Sequence, residues 1–152
     1  MELSFSKDEL KALLELSVIA DWVMTAHDNE DDERKDPYIK LVQKIYAFAH
    51  KNGMTKEIEH LEDVQDFFPD ETWEEKSLAR AFISEFEEKT FWDELIERLA
   101  ERELNLKLQG NETENFQHHM EIFEEFAGKY ANEFAENGIA NLDIIASKPG
   151  KK

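Results

Sequence analysis

Cysteine is absent from the 152 residues. That removes disulfide frameworks, thiolate metal sites and cysteine nucleophiles together, and it predicts a reducing compartment, the cytoplasm. Glycine (5) and proline (3) are sparse, and the glycines at 53, 110, 128, 138 and 150 are too scattered to build a phosphate-cradling G-x-x-x-x-G-K or G-x-G-x-x-G loop. No serine stands in a G-x-S-x-G frame either. Positive charge is scarcer still, with 18 Lys+Arg against 36 Asp+Glu and a formal net charge of -18. Such a surface repels phosphates and anionic lipid, whose binding depends on cations that displace counterions. The expectation is therefore no direct nucleic-acid binding and no membrane. No apolar run approaches the roughly 20 residues that cross a bilayer, and Met1 to Lys11 alternates acid and base without the apolar stretch of an export signal.

What is present argues for a folded helical chain. Eleven Phe, three Trp and three Tyr supply more apolar area than disordered chains of this charge carry. Ser6-Lys7-Asp8-Glu9 is a capping box with Phe5 and Leu10 placed for a hydrophobic staple, so a helix begins here and runs to about His27. Leu10, Leu13, Leu14, Val18 and Trp22 follow helical spacing, and Leu16, Ile19, Val23 and Met24 widen the apolar stripe beyond one seam. The stretch from Asp28 to Lys35 has nothing apolar to bury and reads as a loop. Asp36 is the predicted cap of a second helix with Pro37 at its first position and with Ile39, Val42, Ile45, Tyr46 and Ala49 on one side, ended by Gly53. Thr55 predicts a short third helix carrying Ile58, Leu61, Val64 and Phe68, stopped by Pro69.

Thr72-Trp73-Glu74-Glu75 repeats the capping-box pattern before Leu78, Phe82, Ile83 and Phe86. Thr90 followed by Asp93 predicts a break or kink, then a helix through Leu95, Leu99 and Leu106 to Gly110. The last helix is the most regular: Phe116, Met120, Phe123, Ala127, Tyr130 and Phe134 alternate steps of four and three, and Gly138 ends it. The predicted fold is all-α, a single-domain bundle over residues 1–146 of five to six mostly antiparallel helices, with a frayed basic tail at 147–152. Its predicted core comprises Leu14, Val18, Trp22, Ile45, Phe82, Leu95, Leu99, Phe123 and Phe134.

Chemistry has few carriers. Glu57 and His60 have the E-x-x-H spacing that presents a carboxylate and an imidazole on one helix face, but the second copy that bundle metal sites use is missing. His118 lies among acids as a surface partner, and His119 borders the apolar stripe as a core-edge imidazole with one nitrogen satisfied. No metal and no cofactor are expected. The adjacent rings Phe67-Phe68 and Phe91-Trp92 point about 100° apart on a helix, so something must cover the second ring of each pair.

The candidate partner-binding residues are Asp28, Glu30, Asp31, Asp32 and Glu33, a self-repelling loop between two helices. The functional expectation is a non-enzymatic protein–protein interaction module, of adaptor, inhibitor or immunity type, for a basic partner, present as monomer or homodimer. Two rivals differ in class. A His/Glu metal-dependent enzyme would need Glu57, His60, Glu114 and His118 to converge, and a nucleic-acid mimic would need its acids on one face, against which stand Lys40, Lys44 and Lys51.

Overall fold

The computed structural model describes residues 3–27, 32–108 and 116–143. Among the described residues, five helices and one two-stranded sheet follow in the order α1 (Lys7–Thr25), α2 (Asp36–Lys51), β1 (Ile58–Leu61), β2 (Asp66–Pro69), α3 (Glu71–Lys76), α4 (Leu78–Leu108) and α5 (Phe116–Asn137). The architecture is thus predominantly α-helical, as the apolar periodicity predicts. The chain divides into two compact units, Met1–Phe86 and Glu87–Lys152. The tail at 147–152 lies outside the described residues.

In the first unit, α1 starts on its capping box. The Glu9 amide donates to Ser6 Oγ at 3.3 Å and the Ser6 amide donates to Glu9 Oε2 at 2.8 Å. The backbone hydrogen bond from Ser6, then its hydroxyl, hold the Glu9 carboxyl below its usual value. At the other end the Lys35 ammonium donates to the Met24 carbonyl, an orphan acceptor in the last turn. α2 begins one residue earlier than predicted, so Asp36 lies in the first turn, where the helix dipole favours a carboxylate, and Lys35 is the cap. Gly53 follows at φ +90°, the left-handed terminator that its position predicts.

The third predicted helix is not there. Residues 58–61 and 66–69 form an antiparallel hairpin in the register Ile58↔Pro69, Glu59↔Phe68, His60↔Phe67 and Leu61↔Asp66. Three-and-four spacing of Ile58, Leu61, Val64 and Phe68 reads as helical, but only Ile58 of the four is buried. Two local features favour the strand. Gln65 takes φ 57° in the turn, with its side-chain amide donating to the Glu62 carbonyl at 2.6 Å. From α2, the Gln43 side chain accepts from the Phe67 amide and donates to the Phe67 carbonyl, satisfying β2 as a neighbouring strand would.

The next helix starts on Asp70, whose carboxylate accepts from the Trp73 amide at 2.8 Å, rather than on Thr72. It stops at Ser77, which is extended (ψ 157°) and whose Oγ accepts from the Arg80 amide at 3.1 Å, capping α4. Helix α4 then runs for 31 residues straight through Thr90–Asp93, so the predicted break is absent. With neither Gly nor Pro between 78 and 108 nothing interrupts the hydrogen-bond ladder, and Trp92 Nε1 donates to Glu88 Oε1 one turn back at 2.6 Å.

The core of the first unit gathers Leu10, Leu14 and Val18 of α1, Val42, Tyr46 and Ala49 of α2, then Met54, Ile58 and Ala79, with Phe67 and Trp73 packed against them. Each large side chain buried there contributes about 1.5–3 kcal/mol. Of the predicted core, Leu14, Val18 and Phe134 are buried, and Trp22, Ile45, Leu95, Leu99 and Phe123 are half-buried. Phe82 is exposed, a correction: α4 turns Ala79 and Ile83 inward, four residues apart, and presents Phe82 and Phe86 on the adjacent face.

In the second unit, residues 87–108 of α4 lie antiparallel to α5. Trp92 meets Phe134 with ring centroids 5.5 Å apart, the Tyr130 hydroxyl donates to Glu103 Oε1 at 3.0 Å, and the Lys107 ammonium lies 5.6 Å from the Phe126 ring. Phe91 covers the edge of Trp92 at 4.9 Å. Ala100, Ile122 and Phe134 are buried. Gly138, at φ +55°, closes α5 as predicted.

Candidate functional site

Of the acidic loop, Asp28, Glu30 and Asp31 lie outside the described residues. Asp32 accepts four hydrogen bonds from Arg34: from its amide at 3.0 Å and Nε at 2.8 Å on Oδ1, and from Nε at 3.1 Å and Nη2 at 2.6 Å on Oδ2. The Arg34 side chain, then its amide, push the Asp32 carboxyl down to about 2. Half-buried Asp32 is therefore neutralised from within the loop, and Glu33 is the described acid of the group left exposed.

The E-x-x-H pair loses its geometry with the helix that was to carry it. Glu57 lies in the turn before β1 and His60 on the strand, where the imidazole packs 4.6 Å from the Phe67 ring, with His50 5.4 Å from the same ring. Glu114 lies outside the described residues. Among the described residues no group of three or more His, Asp and Glu side chains is placed to hold a metal ion. No described helix is long and apolar enough to cross a membrane.

The second unit carries a feature that charge counting misses. The apolar stripe of α5 and the facing turns of α4 leave a cleft of about 400 Å³, floored by Leu104, Phe116, Met120 and Phe123. Phe116 is 75% exposed, far beyond what a core ring shows. Glu97 and Glu101, one turn apart on α4, stand at its edge with His119 of α5. Glu94 already holds Arg98, by Oε2 to Nη2 at 2.8 Å, so no ion pair joins Glu97 or Glu101 among the described residues. Arg98 is held further above its usual value by Glu94 first, with smaller contributions from Glu101 and Glu97. His119 is half-buried at the edge of the apolar stripe, and its Nε2 is buried without a hydrogen-bond partner among the described residues. His118 lies with Nδ1 3.8 Å from Glu121 Oε2, the surface partnership its position predicts.

The heptad-like stripe of α5 is the one sequence signal that could have pointed to this cleft. Glu97 and Glu101 could not be singled out, because carboxylates at helical spacing recur throughout so acidic a chain. Comparisons of the chain with protein-family models, with curated proteins and with solved structures find no match.

Proposed function

We propose that this protein is a non-enzymatic protein–protein interaction module for a basic partner, acting in the cytoplasm as an adaptor, inhibitor or immunity-type protein, and that the cleft of the second unit is its docking site. The observation that carries this reading is the pairing of an open apolar floor with two carboxylates, Glu97 and Glu101, that form no ion pair among the described residues. A cationic amphipathic helix matches that arrangement. Its apolar stripe, at i, i+3/i+4 and i+7, would cover Phe116 and Met120, and Lys or Arg four residues apart would face Glu97 and Glu101. The net charge of -18 adds long-range steering towards such a partner, and Glu33 with the rest of the acidic loop contributes to that field.

A designed Leu/Lys amphipathic helical peptide, with its Leu/Glu counterpart as control, tests the reading by titration calorimetry. The Lys peptide should bind and the Glu peptide should not. Phe116→Asp with Met120→Asp should weaken the Lys peptide at least tenfold while the circular dichroism stays helical. Equal affinity of the double variant and the parent chain would refute the cleft as the docking site.

A further inference from the structure

A second surface, wholly within the first unit, has the opposite electrostatic character. Helix α1 buries Leu10, Leu14 and Val18 in the core. Its other side carries Ala12, Leu16, Ile19, Ala20, Val23 and, at the C-cap, Ala26, successive members of one helical face with no Asp, Glu, Lys or Arg over about four turns. In a chain that is 36% charged this is an unusual stretch of surface. It is also open: Leu16 is 62% and Val23 66% exposed.

An apolar cleft runs along each flank of this ridge. One, of about 400 Å³, lies between Trp22 and Val23 of α1 and Phe82 and Phe86 of α4. The other, of about 190 Å³, lies between Leu16 and Ala20 of α1 and Tyr38 and Leu41 of α2. Phe82, Phe86, Tyr38 and Leu41 are each more than half exposed. With Leu16 and Val23 these six large side chains present roughly 100 Å² apiece, about 600 Å² in all, at the upper end of what a monomer leaves open. The alanines and the cleft walls extend the face towards the ~800 Å² per partner of a standard interface.

We infer that the protein associates with a second copy of itself through this face, the α1 ridge of each copy seated in a cleft beside the α1 of the other. Charge selects the occupant. Two chains of -18 repel wherever carboxylates oppose one another, and they close without that cost only over a face that carries none. A basic partner, by contrast, would find no carboxylate here to recognise. Shape agrees, because a ridge flanked by clefts complements its own image across a two-fold axis. The small side chains of Ala12, Ala20 and Ala26 keep the ridge low enough for close helix approach. This surface is separate from the acid-edged cleft, and self-association stands or falls independently of the basic-partner reading.

Light scattering on the purified full chain at tens of micromolar tests it. The expected mass is twice 17.9 kDa, and Leu16→Glu with Val23→Glu should weaken association at least ~100-fold, giving monomer with unchanged helicity, because two buried carboxylates per copy would oppose each other. Phe116→Glu with Met120→Glu, in the second unit, should leave the dimer intact. Should the α1 variant fail to fold, the absence of native cysteine allows a second measurement. Ala20→Cys should cross-link to a dimer with a bismaleimide reaching about 10 Å, the spacing of packed helices, and Glu124→Cys should not. A monomeric parent chain, a dimer that survives Leu16→Glu with Val23→Glu, or cross-linking at position 124 but not 20 would each overturn the inference.

Discussion

The side chain of Gln43 holds both backbone groups of Phe67: Nε2 donates to the Phe67 carbonyl at 2.9 Å, and Oε1 accepts from the Phe67 amide at 3.0 Å. A helix side chain thereby supplies what a third strand would supply, on a part-buried edge. Gln43→Ala should destabilise the chain by about 2 kcal/mol, since two backbone groups lose their partners. Gln43→Glu should do no better, because a carboxylate accepts from the amide but opposes the carbonyl. Denaturant melts of the two variants check this, and a loss below about 0.5 kcal/mol in both would mean that the clamp is not holding the hairpin.

That clamp also shows why the hairpin is not legible from local pattern. Ile58, Leu61, Val64 and Phe68 fit a helix by spacing alone, and what decides for strands is Gln43, contributed by another element, together with a left-handed Gln65 that no propensity favours. Some features set by neighbouring residues alone are read correctly, whereas the local cap signals at Thr55 and Thr90 are not. The Ser6–Glu9 capping box and the terminating Gly53 and Gly138 stand where the sequence puts them, and the stripe of α5 is helical. Capping residues compete, however, and Asp70 takes the cap that Thr72 offers as well. The site follows the same division: an acidic loop is visible as a run, whereas Glu97 and Glu101 acquire meaning only when α5 lays Phe116 and Met120 beside them.

Thr90 separates a continuous α4 from a broken one. Within a helix interior Thr is a poorer former than Ala, so Thr90→Ala should stabilise the chain by about 0.5 kcal/mol. Were Thr90 instead the cap of a new helix, the same change would cost about 1 kcal/mol. The sign of the shift in thermal midpoint gives the answer.

Asp32 should titrate far below an ordinary carboxyl. With its folded value pushed down to about 2 against 3.8, the Arg34 pairing contributes fully above about 4 and is lost as the pH falls from there towards 2. A carbon-detected NMR titration should place the Asp32 midpoint near 2 in the parent chain and return it towards 3.8 in Arg34→Ala. A midpoint near 3.8 in the parent chain would show that Arg34 does not hold the carboxylate in solution and that the loop charge is free to steer a partner.

The salt dependence of binding to the Leu/Lys helical peptide separates recognition by the cleft from attraction to the overall charge of the chain. Glu97→Gln with Glu101→Gln removes two carboxylates at the cleft, and Glu59→Gln with Glu62→Gln removes two exposed carboxylates on and beside β1, so the change in net charge is the same. Recognition by the cleft predicts that the first pair weakens binding about fivefold to tenfold and flattens the salt slope, at roughly 0.5–0.7 kcal/mol for each partly exposed ion pair lost. The second pair should change affinity by less than twofold. Equal losses from both pairs would contradict the account, because the peptide would then be sensing the overall charge of the chain and not Glu97 and Glu101.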